Sequence, residues 1–222
     1  MPASTLRLDL TKSATRQSIF GQVVMTLPED ERMRPAQVLR DASTPKTAHL
    51  ADMAAVEHAI GISVASTHAK DQARDIYRIL AEAEAKVHGC DIADVHFHEV
   101  GLGLTLREIL ACAMAIEAAG PEEIVCTPVQ VGSGTVTCEH GTFDVPAPAT
   151  RAIIDAYGIP ICDERRDGEL LTPTSAAILA HYVTRYEPAA APEPATAPEP
   201  ATAPEPAAAP EPATAPEPAT EA

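Results

Sequence analysis

The stretch THAKDQARDIYRILAEAEAKVH, from Thr67 to His88, carries the clearest structural signal in the chain. Its apolar residues recur at steps of three and four, so they form one stripe along an amphipathic helix. That stripe consists of Ala69, Ala73, Ile76, Leu80, Ala83 and Val87. We expect Thr67 to cap the start of the helix and Gly89 to adopt the left-handed conformation at its end. The sequence therefore predicts a long helix that packs one face on a core.

The segments before this helix give weaker signals. LRLDL (6–10) alternates leucine with polar residues, which is typical of a strand, and SIFGQVVMTL (18–27) is read as a second short strand. PEDERMRP (28–35) is predicted to be a polar loop. A short helix is expected from His49 to Ile60, with a turn at Gly61.

The segments after the long helix alternate in type. Strands are expected at VHFHEVG (95–101), EIVCTPVQVGSG (123–134) and TVTCEHGTFDVP (135–146), and a hairpin at IPICDERRDGELL (159–171). Helices are expected at Leu106–Ala119, at PAPATRAIIDAYG (146–158) and after Thr172, which would cap a helix that has Pro173 in its first position. This alternation predicts a mixed α/β or α+β fold in one compact domain.

The end of the chain has a different composition. Residues 187–222 repeat APEPAT or APEPAA five times and hold eleven of the 21 prolines and seven glutamates. Such a segment buries too little apolar area to offset its chain entropy, so we predict a disordered, extended tail. The predicted organisation is an N-terminal segment of undefined type (1–48), a central domain (49–186) and this tail (187–222).

Charge and composition narrow the classes of function. The 222 residues carry a formal net charge of −16, which disfavours nucleic acid as a partner because phosphate binding needs clustered Lys and Arg. We find neither a membrane-spanning apolar run nor a secretion signal. The five cysteines are widely spaced without a CxxC pair, which is compatible with a reducing environment. We therefore expect a cytoplasmic protein with neither a nucleic-acid nor a membrane partner.

Two histidines form the strongest local feature. In an extended VHFHEVG segment, His96 and His98 would project from one face, and paired imidazoles suit borderline divalent metals such as nickel, zinc or copper. Glu99 or His140 is a candidate third ligand. The alternative is a pair of ordinary histidines at a sheet edge.

Three further features indicate anion or metal binding. The glycine turn formed by Gly132 and Gly134 can bring backbone N–H groups to a phosphate, although a plain tight turn is an alternative. Thr172 and Thr174 at a helix start would form an anion site, although ordinary capping explains them too. Cys138 lies two residues from His140, and the two would make a soft-metal pair unless the cysteine is only a buried apolar residue.

The order of four motifs gives a family resemblance. AEAEAKVHG, VHFHEVG, VGSGTVTCEHGTFDVPAPAT and GELLTPTSAAIL together resemble LarC-type nickel insertion proteins over roughly residues 49–186. The resemblance implies nickel insertion into a pyridinium bisthiocarboxylic acid mononucleotide, a lyase-class reaction that forms a nickel-pincer cofactor. It also implies CTP with manganese or magnesium, and a partner chain that supplies a nucleotide-binding domain.

The resemblance also implies roles for individual residues. It implies that His96, His98 and Glu99 bind the metal, and that Glu99 and His140 are catalytic. It further implies that the cofactor, including its mononucleotide phosphate, is bound by Gly132, Gly134, Thr172 and Thr174.

Two departures from the family pattern keep other functions open. Leu104 and Glu108 stand at two positions that are acidic in the family pattern following HEVG, so the carboxylate at the first is lost, and residues 1–45 lack an FSGISGDM-like segment. The alternatives to an insertion enzyme are a non-catalytic nickel or cofactor carrier, and a regulatory homologue that binds no metal.

Overall fold

The protein combines seven helices with short strands in the part of the chain described by the structure, a computed structural model that covers residues 4–40, 51–98, 103–138 and 141–188. The strands are β1 (Thr5–Leu8), β2 (Glu123–Cys126), β3 (Gly132–Ser133), β4 (Thr135–Cys138), β5 (Gly141–Asp144), β6 (Gly168–Glu169) and β7 (Arg185–Tyr186). The helices are α1 (Arg16–Thr26), α2 (Met33–Val38), α3 (Met53–Ile62), α4 (Thr67–His88), α5 (Leu104–Ala119), α6 (Pro148–Tyr157) and α7 (Pro173–Tyr182), with a 3₁₀ turn at Ile92–Asp94. This mixture confirms the predicted fold class.

Three parallel strands form the largest sheet of the described residues, in the order β1-β2-β7. Leu6 of β1 lies opposite Ile124 of β2, and Leu6, Leu8 and Leu10 are buried while Thr5 is exposed. The strand predicted from the leucine alternation is therefore confirmed. Because β1 pairs along its whole length with β2, the described residues near the N-terminus belong to the same core as the rest of the fold.

Helix α4 lies at the centre of the helical layer, in contact with α3, α5, α6 and α7. It spans the predicted residues, and Gly89 ends it at φ 65°. The predicted cap at Thr67 is wrong by one position, because Ser66 Oγ accepts the backbone N–H of Ala69 at 3.0 Å. Tyr77 and Phe97 make a T-shaped contact at 5.7 Å between ring centroids, which packs the 95–98 segment against the helix.

The prediction of a strand at 18–27 is wrong, because this segment belongs to α1. Thr15 caps the helix by accepting the N–H of Ser18 at 3.2 Å. Ile19 and Val23 are buried and lie four residues apart, which is the period of a helix face. The apolar run thus follows a helical spacing. The loop predicted at 28–35 is also partly wrong, since α2 begins within it at Met33.

The expected helix near 49–60 is α3, which Asp52 caps and which continues through Gly61 instead of turning there. Residues 95–101 do not form the expected strand over their described part. Phe97 alone bridges Ala51, with N–H···O distances of 2.7 and 3.2 Å.

The C-terminal half pairs differently from the prediction. The segment 135–146 was expected to be one strand, but it forms two strands, β4 and β5, that pair with each other. The hairpin expected at 159–171 does not form, because β6 pairs with β3. The helices expected at 106–119, at 146–158 and after Thr172 are confirmed as α5, α6 and α7.

The predicted tail lies almost wholly outside the described residues, which end at residue 188. The chain divides into one unit over Met1–Ala189 and another over Ala190–Ala222. Within the described ranges, no helix has both the length and the apolar character needed to cross a membrane.

Candidate functional site

Several predicted site residues meet at a cavity of about 280 Å³, called here the inner cavity. His98, Thr172 and Thr174 line it, although they come from distant parts of the sequence. The charged lining residues that the sequence analysis did not select are Arg16, Glu84 and Glu169. The inner cavity therefore joins an imidazole, a helix start and charged groups of both signs.

The start of α7 forms one wall of the inner cavity. Thr172 Oγ1 accepts the backbone N–H of Ser175 at 3.3 Å, and Pro173 occupies the first helical position, as predicted. Thr174 is fully buried, and its Oγ1 has no hydrogen-bond partner among the described residues. Capping thus occupies Thr172, whereas Thr174 keeps a polar atom that a ligand can satisfy.

Arg16 forms another part of the lining, at the start of α1. Its Nε lies 2.8 Å from Glu108 Oε2, and Nη1 donates to Thr105 Oγ1 at 3.1 Å. The contact with Glu108 lacks hydrogen-bond geometry, so it is an ion pair. Gln17 Nε2 donates to the other carboxylate oxygen of Glu108 at 2.7 Å. Sequence reasoning missed Arg16 because it assigned no helix here, and the Thr15 cap was the available signal.

His98 also lines a second cavity of about 220 Å³, called here the outer cavity. His96, His88, Cys90 and Asp94 contribute to this lining. The expectation that the two imidazoles share a face agrees with this common lining. His98, unlike His96, belongs to both cavities.

Hydrogen bonds and ion pairs fix part of this histidine cluster. The ring of His88 lies 6.3 Å from that of His98 between centroids, and His88 Nε2 lies 3.5 Å from Glu84 Oε2. His96 Nδ1 lies 2.9 Å from the carbonyl oxygen of Asp94. The cluster thus runs from the outer cavity through His88 and His98 to Glu84 in the inner cavity.

The predicted glycine turn lies at a third cavity, of about 590 Å³, and not with His98. Gly132 has φ 91°, and a Cβ there would lie 1.8 Å from the carbonyl oxygen of Gly168. Its N–H donates to Gln130 Oε1 at 3.0 Å. Gly134, at φ 97°, has open space around the position of a Cβ. The close approach of β3 to β6 therefore explains why position 132 needs a glycine. The N–H of Gly132 is already hydrogen-bonded within the protein.

All five cysteines are free. Burial raises the pKa of the Cys112 and Cys126 thiols to about 12, which makes them unreactive at neutral pH. Cys138 is half-buried and lines the inner cavity, while Cys90 is exposed beside the outer one. One thiol thus lies at the inner cavity and one at the outer cavity.

Two predicted residues, Glu99 and His140, lie outside the described residues. The predicted pairing of Cys138 with His140 therefore stays a prediction. Across residues 4–40, 51–98, 103–138 and 141–188, no group of three or more His, Cys, Asp or Glu is arranged to hold a metal ion.

Comparison with known proteins adds to this geometry. A family model described as nickel insertion protein matches residues 4–197. A Dictyoglomus thermophilum protein named for nickel insertion is 35% identical over 180 residues, which cover 81% of this chain and 42% of that protein. The pyridinium-3,5-bisthiocarboxylic acid mononucleotide nickel insertion protein of Desulfitobacterium hafniense is 39% identical over 140 residues, 63% of this chain and 34% of that protein.

The matched regions are partial on the side of the relatives. A Methanosarcina mazei protein named for nickel insertion is 47% identical over 111 residues, which cover 50% of this chain and 28% of that protein. The chain thus spans less than half the length of these relatives. No solved structure matches the chain.

Proposed function

The chain belongs to the nickel insertion protein family, and from this premise we propose that it takes part in inserting nickel into a pyridinium-3,5-bisthiocarboxylic acid mononucleotide. Nickel and the mononucleotide are both substrates in this proposal. The observation that carries it is the inner cavity, where His98 meets the start of α7. An imidazole is a suitable nickel ligand, and a helix start with a free hydroxyl suits a phosphate.

The two cavities suggest a division of labour. Nickel enters at the outer cavity, where His96 and His98 bind it. His98 then presents the ion to the inner cavity, since its side chain lines both. The sulfur atoms of the substrate complete the coordination of nickel, which therefore needs few protein thiolates.

The mononucleotide occupies the inner cavity in this proposal. Thr172 and Thr174 bind its phosphate at the start of α7, while Gly132 allows the close β3–β6 contact nearby. Glu99 and His140 remain the proposed catalytic groups. The reaction takes place in the cytoplasm, with CTP and manganese or magnesium as further participants and a partner chain as the source of the CTP site.

The test supplies the full chain with the pyridinium bisthiocarboxylic acid mononucleotide, nickel, CTP and magnesium or manganese. Mass spectrometry then follows the nickel-containing product. We expect His98→Ala to abolish product formation and the control His58→Ala, on the exposed face of α3, to retain it.

Two outcomes separate this proposal from the carrier hypothesis. Nickel binding that depends on His96 and His98 without any turnover, even with partner proteins added, would favour a carrier. Product formation that survives His98→Ala would contradict the assignment of the site.

A further inference from the structure

Arg16 is held rigidly at the lining of the inner cavity. Its guanidinium pairs through Nε with Glu108 and donates through Nη1 to Thr105, and its side chain is 21% exposed. Nη2 makes no hydrogen bond within the part of the chain that the structure describes. The carboxylate of Glu108 is itself fixed by Gln17. The Nε and Nη1 groups of this guanidinium are therefore engaged within the protein, while Nη2 remains as a donor for a ligand.

A second polar group without a partner belongs to the same cavity. Thr174 is fully buried, yet its Oγ1 has no hydrogen-bond partner in the described ranges. Leaving such a group unsatisfied costs about 1–3 kcal/mol, so a ligand that supplies an acceptor there gains affinity. This atom lies at the first turn of α7, where the helix dipole favours negative charge.

The backbone brings these two groups to one place. The N–H of Ala14 donates to the carbonyl oxygen of Leu170 at 3.0 Å. Ala14 lies two residues before the first residue of α1, and Leu170 lies two residues before Thr172, the cap of α7. Two helix starts therefore converge on the inner cavity, and Arg16 is the first residue of one of them.

The charges of the lining match a ligand with both signs. Arg16 supplies a positive group, whereas Glu84 and Glu169 supply carboxylates. A pyridinium mononucleotide carries a negative phosphate and a positive ring, and nickel adds further positive charge. The carboxylates match the positive charges of the ring and the metal. The negative phosphate is therefore matched by Arg16.

We infer that Arg16 binds the phosphate of the mononucleotide, together with Thr174 and the start of α7, and thereby selects mononucleotides over nucleosides. This inference rests on the proposed function for the identity of the ligand. Guanidinium donors match phosphate oxygens in geometry, and the remaining Nη2 of a fixed fork loses little entropy on binding. Glu108 and Gln17 act as positioning residues, because Glu108 pairs with Arg16, Gln17 holds Glu108, and neither of them lines the inner cavity.

The experiment uses the full chain without nickel and compares two probes by calorimetry. The probes are nicotinic acid mononucleotide and nicotinic acid riboside, which differ only in the phosphate. We expect the native protein to bind the mononucleotide more tightly by about tenfold or more, as is typical for a charged hydrogen bond. In Arg16→Gln this preference should fall towards equal binding, with little change in riboside affinity.

Variants that keep the local charges balanced distinguish a loss of phosphate binding from a loss of folding. Arg16→Gln leaves Glu108 without its ion-pair partner, so the double variant Arg16→Gln/Glu108→Gln provides an uncharged pair at the same place. It should lose the preference in the same way while keeping the native thermal unfolding transition. Arg78→Gln removes an exposed arginine on α4 and should keep the preference.

Each result decides the inference. Equal binding of both probes by the native protein, absence of mononucleotide binding, or a preference that survives in the folded double variant would overturn it. Since nickel is absent from the assay, an intact preference without nickel insertion would remove only the proposed reaction. Nickel insertion by a native protein that binds the two probes equally would remove only the role of Arg16.

Discussion

Ala14 donates its backbone N–H to the carbonyl oxygen of Leu170 at 3.0 Å, which joins the segment before α1 to the segment before α7. Leu171, next to the acceptor, is fully buried, as is Ala14 itself. The contact is therefore part of the core and not a surface crossing. It holds together the segments that lead into the two helix starts at the inner cavity, so the cavity depends on both segments.

Gly132→Ala should destabilise the protein far more than Gly134→Ala. Both glycines have positive φ, so each alanine carries backbone strain of about 1–3 kcal/mol. At Gly132 the new Cβ would also lie 1.8 Å from the carbonyl oxygen of Gly168, which must move and break the β3–β6 pairing. Urea unfolding measures the difference, and equal costs for the two variants would contradict the close approach.

Phe97→Ala should lower the free energy of unfolding by about 3–5 kcal/mol, because it removes a fully packed aromatic ring from the core. Phe97 is 1% exposed and lies edge-on to Tyr77. Phe97→Leu retains most of the apolar volume and should cost only about 1–2 kcal/mol. Denaturant unfolding of both variants checks this order. A cost below about 1 kcal/mol for the alanine variant would mean that the 95–98 segment is not anchored by its ring.

His181 should make the protein less stable in mild acid. Burial lowers the pKa of His181 from its ordinary value of 6.5, against a smaller opposite effect of Asp75, and its Nε2 lies 2.7 Å from Gln72 Oε1. The unfolded chain therefore binds this proton more readily than the native chain. The stabilisation is complete above pH 6.5 and is lost as the pH falls from there towards the lower native pKa.

The comparison variant for this prediction is His181→Gln. Its unfolding free energy should fall less than that of the native protein between about pH 8 and about pH 5, measured in the same denaturant series. The difference between the two chains isolates His181 from the other histidines. Parallel pH profiles would show that its ring titrates alike in the folded and unfolded states.

The cysteines should react with iodoacetamide in an order set by burial. Cys90 is exposed and should be alkylated first, whereas Cys112 and Cys126 are buried thiols with a pKa of about 12 and should resist at neutral pH. Peptide mass spectrometry gives the modified fraction at each position. In urea, all five should react at similar rates. Labelling of Cys112 as fast as Cys90 in the native protein would contradict the packing of α5.

The sequence predicted the regular elements best where one period was strong. The apolar stripe of 67–88 fixed α4, and Thr172 with Pro173 fixed the start of α7. The helix around Ile19 and Val23 was missed, because a run of apolar residues also fits a strand and local spacing was not used to separate the two. The prediction of a strand around Phe97 was wrong for another reason. A strand forms only where a neighbouring segment pairs with it, and here a single bridge joins Phe97 to Ala51.

Site prediction followed the same division. His96 and His98 were selected from their spacing, and both line the outer cavity. The glycine turn was assigned to cofactor binding with Thr172 and Thr174 although it lines a different cavity, because sequence order carries no information on distance between segments in the fold. Arg16 was not selected, since the segment after it was predicted to be a strand and the helix cap at Thr15 was overlooked.

By itself, the sequence determined the long helix, the start of α7, the mixed fold class and the family, because periodicity and motif order can be read along the chain without knowledge of its tertiary contacts. Only the tertiary structure decided that His98, Thr174 and Arg16 share one cavity and that Gly132 does not line it. The physical reason is that these side chains meet through hydrogen bonds and packing between distant segments, as between Ala14 and Leu170. Such contacts depend on the whole core and not on any one stretch of chain.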